Sequence, residues 1–111
     1  MFDIKVKDIG SKTLIEDLEA SGLSGFIVLE PEEDFSPALI GYDKVQNRLI
    51  YSFDLMIQTF TEIYEEGDET GDPQDRAYAW ITYNTMRAIP YMGSTRPIIV
   101  YLNLDGDYEE Y

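Results

Sequence analysis

The sequence predicts a single α+β domain in which a mixed or antiparallel sheet of about four to five strands packs with three helices. Short runs with alternating or continuous hydrophobicity alternate along the chain with longer runs whose apolar residues recur every three or four positions. A chain of 111 residues, 44% of them hydrophobic, is enough for one core. The predicted domain covers residues 1–111 and includes an acidic C-terminal tail from about residue 104.

Five segments have the hydrophobic pattern of β-strands: residues 2–6, Phe26–Leu29, Ala38–Tyr42, Leu49–Ser52 and Ile98–Leu102. The first alternates charged and apolar residues, which predicts a half-exposed strand with charges that discourage edge pairing. The third and fourth are predicted to form a hairpin, with Asn47 as the left-handed residue of its loop. The last is continuously apolar, which predicts a strand in the centre of the sheet, covered on both faces.

Three segments have helical periodicity with start and stop residues: Ser11 to about Ala20 with Gly22 as a stop, Ser52 to Gly67, and Asp72 to Pro90. The third has the clearest start, because Asp72 can cap the helix and Pro73 has the backbone angle of a first helical residue. From Ala77 onward this helix is apolar almost all round. That pattern predicts a helix packed between neighbouring elements.

The composition indicates the class of partner more clearly than any chemistry. Twenty-two Asp and Glu against eight Lys and Arg give a formal net charge of −14. Such a surface repels the phosphates of nucleic acids and anionic lipids, and it accelerates encounters with basic protein surfaces. We therefore expect a basic host protein surface as the partner, with no direct binding to nucleic acid or membrane.

Fifteen of the acidic residues fall in three segments, Glu30 to Asp34, Glu62 to Asp75 and Asp105 to Glu110. Blocks of like charge stay solvated, so one interpretation is three exposed loops or tails. The other is a single functional surface made by the three segments. The candidate partner-binding residues are Glu30, Glu32, Glu33, Asp34, Glu62, Tyr64, Glu65, Glu66, Asp68, Glu69, Asp72 and Asp75.

The residue inventory excludes several kinds of site. The chain contains no cysteine and no histidine, which excludes disulfides and thiol chemistry and removes the usual zinc ligand and general base. The acids between Glu66 and Asp75 do not have the spacing of an EF-hand loop. No apolar stretch approaches the length of a membrane span, and the N-terminus lacks the pattern of a signal peptide. We expect a cytoplasmic, non-enzymatic protein without metal or cofactor.

Asn84, Arg87 and Tyr91 form a candidate ligand cluster near the predicted end of the third helix. Asn84 and Arg87 are three residues apart and share a helix face, and Tyr91 follows the Pro90 break. A guanidinium and an amide there can bind an anion. The structural alternative is that Arg87 ties down a carboxylate or loose carbonyls while Asn84 satisfies the turn before Pro90.

Tyrosine is enriched at protein interfaces because it buries a large area while keeping a polar end. We expect the tyrosines beside the acidic segments to include contact residues and those inside the predicted elements to be core residues. The candidate contact tyrosines are Tyr42, Tyr64, Tyr108 and Tyr111, and the candidate core tyrosines are Tyr51, Tyr83 and Tyr101.

The region from Pro37 to Tyr101 contains a distinctive order of short runs: Ala38–Gly41, Arg48–Ser52 leading into Met56, Ala79–Ile81, Tyr83–Thr85, Arg87–Ala88, Pro90–Tyr91 and Pro97–Ile99. This order resembles a family of small uncharacterised proteins carried by bacteriophages and prophages. It contains no catalytic motif, and it implies an accessory protein made inside an infected bacterium. The first thirty-six residues and the acidic tail lie outside it.

Three functional hypotheses follow. The first is an interaction protein, encoded by a phage, whose carboxylates imitate nucleic acid phosphates and occupy a basic groove on a host defence or nucleic-acid-handling protein, in the manner of an anti-CRISPR inhibitor. The second is a module that binds a small ligand or metal through Asn84, Arg87 and carboxylates. The third is a non-enzymatic assembly protein, including a homodimer, whose acidity serves solubility. The charge and the resemblance favour the first.

Overall fold

The computed structural model describes residues 3–4, 12–67 and 71–111, which form one α+β arrangement. A five-stranded mixed sheet has the order β1-β2-β3-β4-β5, with β3 and β4 parallel and the other pairs antiparallel. The strands are β1 (Asp3–Ile4), β2 (Leu39–Asp43), β3 (Arg48–Ser52), β4 (Ile98–Leu102) and β5 (Tyr108–Glu110). The helices are α1 (Lys12–Ala20), α2 (Glu32–Phe35), α3 (Phe53–Glu66) and α4 (Pro73–Trp80). The predicted fold class is confirmed.

The β2–β3 hairpin forms as predicted, and local chemistry explains its turn. Asn47 has a φ of 59°, in the left-handed region that a tight hairpin requires. Its side-chain oxygen accepts a hydrogen bond from the Tyr42 hydroxyl, and its amide donates to the carbonyl of Ser24 at 2.8 Å. Asp43 closes the other side of the loop by accepting from the N–H of Val45 at 2.9 Å.

The predicted starts of α3 and α4 are confirmed by their capping bonds. The Ser52 hydroxyl accepts from the N–H of Leu55 at 3.2 Å, and the Asp72 carboxylate accepts from the N–H of Gln74 at 2.9 Å. Both bonds satisfy amide groups that have no partner within the helix. Helix α3 ends at Gly67, and α1 is followed by Gly22 at a φ of 84°.

The central strand places two apolar layers on opposite faces of the sheet. Leu49 and Tyr51 point into the main core with Ile99, while Ile50 is buried on the other face with Ile98 and Val100. This alternation follows from the two-residue period of a strand. Strand β4 is therefore interior, and its first three residues are buried. The middle position of the sheet, which the sequence predicts for β4, belongs to β3.

Two further predictions are wrong, and the sequence pattern does not indicate the short helix α2. Phe26–Leu29 is not a strand. The N–H of Leu29 donates to the Tyr51 hydroxyl at 3.1 Å, and the ring of Phe26 meets that of Tyr42 edge-on, so side chains of the sheet hold this segment in place of strand pairing. The third helix is not packed between neighbours, because Tyr78 is 52% and Tyr83 68% exposed.

The third helix also changes its hydrogen-bonding pattern. After Trp80 it continues as a π-helix over Ile81–Met86, and a 3₁₀ turn follows at Ile89–Tyr91 around Pro90. Its buried residues in the middle are only Ala77, Ile81 and Thr85, one stripe at intervals of four. Rings outside this stripe reach solvent, where the tyrosine hydroxyls remain hydrated.

Some predictions lie outside the described residues. These concern the Ser11 cap, the flanking positions Phe2 and Val6 of the first strand, and the carboxylates Asp68 and Glu69. No helix among the described residues has the length and apolar character needed to cross a membrane.

Replacing Tyr51 with Phe should lower the free energy of unfolding by about 1–3 kcal/mol, because the buried N–H of Leu29 then loses the hydroxyl oxygen that accepts its hydrogen bond. The measurement is urea denaturation at pH 7.

Burial raises the pKa of Tyr51 from 10.0 to about 12. The folded state thus holds the tyrosine proton more tightly than the unfolded state.

The same substitution has a signature in alkali. The contribution of the raised Tyr51 pKa to the free energy of unfolding is complete below pH 10 and is lost between about pH 10 and 12. The total loss over this range is roughly 3 kcal/mol. The stability of the parent should therefore fall more steeply than that of Tyr51→Phe in this range. Equal slopes would contradict the raised pKa, and Tyr101 serves as the internal reference because both proteins retain it.

Candidate functional site

Three aromatic rings hold helices α2, α3 and α4 in one layer on the sheet. The ring of Phe35 lies 5.1 Å from that of Phe60, and Phe60 stacks on Trp80 at 5.1 Å between centroids. Phe35 also meets Tyr51 of the central strand edge-on at 6.4 Å. Because one helix contributes each of the three clustered rings, these helices pack together above the central strand.

The first two acidic segments lie on helices that pack against each other through Phe35 and Phe60. Helix α2 begins with Glu32, Glu33 and Asp34, and the last turns of α3 bear Glu62, Glu65 and Glu66. The buried face of α3 carries Phe53, Met56 and Phe60, so at 3.6 residues per turn its glutamates point outward, and all three are exposed. Neither α2 nor α3 contains a lysine or arginine. We call Glu32, Glu33, Glu62, Glu65 and Glu66 the acidic helical face.

The third segment lies elsewhere. From residue 104, where the sequence predicted a tail, the chain makes a turn and returns as β5 on the edge of the sheet. The Asn103 side chain organises the turn by accepting from the N–H groups of Asp105 and Asp107 at 2.9 and 3.0 Å. This hairpin adjoins the start of α3, since Asp54 accepts from the N–H of Leu102 at 2.8 Å. The second segment is at the other end of α3.

Several acidic residues have clear structural roles. Asp72 caps α4, Asp54 joins α3 to β4, and Asp43 closes the hairpin turn. Glu109 accepts from the hydroxyl of Tyr101 at 3.1 Å, and this bond raises the pKa of Tyr101. Asp75 lies in the first turn of α4, where the helix dipole favours a negative charge. These carboxylates are explained by folding alone.

The glutamates of α3 are not explained in this way. Glu65 and Glu66 occupy the last turn of the helix, where the dipole disfavours negative charge, and the turn has no basic residue. Glu62 lies three and four residues before them, at the spacing where like charges repel by about 0.2–0.5 kcal/mol per pair. The weak contact of Glu62 with Gln58, at 3.5 Å, does not offset this repulsion. The arrangement opposes stability.

The tyrosine predictions are partly wrong. Tyr42 is buried and is not a contact residue, whereas Tyr83 is exposed and is not a core residue. Tyr51 is buried as predicted, and Tyr64 is half-buried beneath the guanidinium of Arg76 at 4.5 Å. Tyr111 is 56% exposed and packs on Phe53 at 4.9 Å.

The cluster Asn84, Arg87 and Tyr91 does come together, around an open hollow of about 530 Å³. The Asn84 amide donates to the carbonyl of Trp80 at 2.9 Å, inside the π-helix rather than at the turn before Pro90. The Arg87 guanidinium lies 5.6 Å from the centre of the Tyr83 ring, and no carboxylate of the described chain holds it. On the other side of Asn84, Glu30 and Trp80 line a smaller cleft of about 320 Å³.

Sequence reasoning missed two features. One is a groove between α3 and α4 that has Tyr78 on its wall, and the other is the π-helix beside the Asn84 hollow. The available signal for the first was Tyr78 between the small residues Ala77 and Ala79. Within the described ranges no group of three or more carboxylates is arranged to hold a metal ion.

Replacing Glu66 with Lys should raise the free energy of unfolding by about 0.5–1 kcal/mol at low salt, because it removes a like-charge pair and complements the helix dipole. The measurement is thermal or urea unfolding at 10 mM and 500 mM NaCl, and the gain should shrink at the higher salt. Glu16→Lys in the middle of α1 is the control. A gain equal in both variants, or independent of salt, would contradict a local strain at the acidic helical face.

Comparisons with known proteins were made for the whole chain. No family model matches it, and no curated protein and no solved structure has significant similarity to it. A functional assignment therefore depends on the geometry and charge of the residues described above.

Proposed function

We propose that this protein binds a basic surface of a partner protein, of the kind that holds nucleic acid phosphates, and competes with nucleic acid for it. The acidic helical face carries the proposal. Its glutamates are exposed and unaccompanied by basic residues on α2 and α3, and three of them, Glu62, Glu65 and Glu66, lie at the end of α3 where they oppose helix stability. Residues kept in a destabilising position are typical of functional sites, where activity is favoured over stability.

Electrostatic complementarity supports this class of partner. A surface of one sign accelerates association with a surface of the opposite sign and disfavours partners of the same sign. Duplex DNA carries a charge about every 1.7 Å along its axis. The glutamates of α2 and α3 offer a carboxylate array on one rigid layer as a substitute. The resemblance to phage and prophage proteins favours a host nucleic-acid-binding protein as the target.

The test is a pull-down of the tagged protein from bacterial lysate at 50 and 300 mM NaCl, with mass spectrometry of the retained proteins. The test variant is Glu62→Lys/Glu65→Lys/Glu66→Lys. The matched control is Glu16→Lys/Asp17→Lys/Glu19→Lys, which makes the same change in net charge on exposed residues of α1. We expect a nucleic-acid-binding protein that the parent and the control retain, that the test variant loses, and that duplex DNA displaces.

Other outcomes would contradict the proposal. If both triple variants lose the protein equally, net charge alone drives the capture and the acidic helical face is not the contact surface. If the retained protein does not bind nucleic acid or resists displacement by DNA, the partner class is wrong. Circular dichroism of both variants confirms that the fold is intact.

A second candidate function is binding of a small anion with an aromatic group in the Asn84 hollow. Arg87 lies exposed between Tyr83 and Tyr91 at this hollow, and Tyr91 is 90% exposed. No carboxylate of the described residues pairs with the Arg87 guanidinium, and this observation favours the second function. Arginine pairs with phosphate or carboxylate and tyrosine stacks on rings. We expect adenosine 5′-monophosphate to raise the Tm of the parent and to leave that of Arg87→Gln unchanged. The same rise in both proteins would exclude this hollow.

A further inference from the structure

An open groove runs between α3 and α4. The two helices are antiparallel, as the pairs Phe60–Trp80 and Tyr64–Arg76 indicate. The groove has a volume of about 540 Å³. Its apolar surface comes from Phe53, Ile57 and Tyr78, and the α3 side bears three carboxylates, Asp54, Glu62 and Glu65. No lysine or arginine lines it.

The aromatic part of the groove is fixed in place. The ring of Tyr78 stands edge-on to that of Phe53, with 6.0 Å between centroids and an interplanar angle of 90°. Tyr111 packs on Phe53 from the direction of β5 at 4.9 Å. Tyr78 is nevertheless half exposed. A tyrosine whose ring already packs on a neighbour while remaining open to solvent has the properties of an interface hot spot, because binding costs it less side-chain freedom.

We propose that this groove binds a basic amphipathic helix of the partner protein. Two antiparallel helices form a groove between them into which a third helix can pack, in the helix-in-groove mode of recognition. From Asp54 to Glu65 the groove extends about 16 Å along α3, the length of three helical turns. Apolar residues of the bound helix contact Ile57 and Tyr78, and Phe53 supports the ring of Tyr78 from below.

Lysine and arginine side chains match the rest of the groove. Their aliphatic stems lie on apolar surface while their charged ends reach the carboxylates of Asp54, Glu62 and Glu65. A purely hydrophobic helix would leave these carboxylates without counter-charges, and an acidic helix would be repelled. The inference rests on the proposed function and adds the form of the partner: a single helical segment, recognised by shape as well as charge.

The test uses two synthetic peptides of 14 residues with capped ends and identical composition. The first places leucines at positions i, i+3, i+4 and i+7 with lysines and arginines on both flanks. The second contains the same residues in an order that scatters the leucines around the helix. Binding is measured by isothermal titration calorimetry at 50 and 300 mM NaCl. We expect the first peptide to bind at least tenfold more tightly than the second.

The groove is assigned with matched tyrosine variants. Tyr78→Ser should weaken the first peptide about tenfold, equivalent to roughly 1.4 kcal/mol. Tyr83→Ser removes an even more exposed tyrosine from the same run of helix outside the groove, and it should leave the affinity unchanged. Glu62→Gln/Glu65→Gln should weaken both peptides and reduce the dependence of binding on salt.

The outcomes separate this inference from the proposed function. Equal affinity for the two peptides, or no effect of Tyr78→Ser, overturns the groove and leaves charge-driven binding by the acidic helical face intact. Failure of both peptides to bind also overturns the groove, while the pull-down of the triple variants decides the proposed function separately. Weakening by Tyr78→Ser with no change in Tyr83→Ser supports the groove.

Discussion

The contact on which the rest of the structure depends is the cluster of rings beneath the helices. Phe35, Phe60 and Trp80 come from three different helices, and Phe35 reaches the ring of Tyr51 in the central strand. This packing joins the helical layer to the sheet in a chain without disulfides. It also gives the acidic segments their relation in space, because two of them extend from elements that the cluster holds together.

The distribution of charge follows two different rules. Near helix starts and turns, carboxylates such as Asp72, Asp54 and Asp43 accept hydrogen bonds that the fold needs. At the end of α3 the glutamates accept no such bonds from the described part of the chain, apart from the long contact of Glu62, and they repel one another. A uniform bias toward acidic surface does not explain this difference. The proposed recognition of a positively charged partner would explain it, and the ring of Tyr78 beside the same helix would add an apolar contact.

The sequence predicted the parts of the fold that depend on local chemistry. The hairpin with Asn47 and the caps Ser52 and Asp72 need only neighbouring residues, and all three are confirmed. Phe26–Leu29 was wrong because its partner is a side chain, the hydroxyl of Tyr51, which lies far along the chain. The candidate site was predictable as a set of acidic residues. Its shape was not, since it depends on ring packing between helices and on the exposure of tyrosines such as Tyr78.

The π-helix at Ile81–Met86 also determines the orientation of the residues that follow it. Each bond from residue i to i+5 encloses one residue more than an α-helical bond. The wider turns absorb this extra residue, so Ile81, Thr85 and Ile89 all face the core at intervals of four. Removing one residue from this segment would restore α-helical hydrogen bonds while the residues on either side keep their faces. The π-helix is thus a place where the chain can change in length by one residue without turning its buried face away from the sheet.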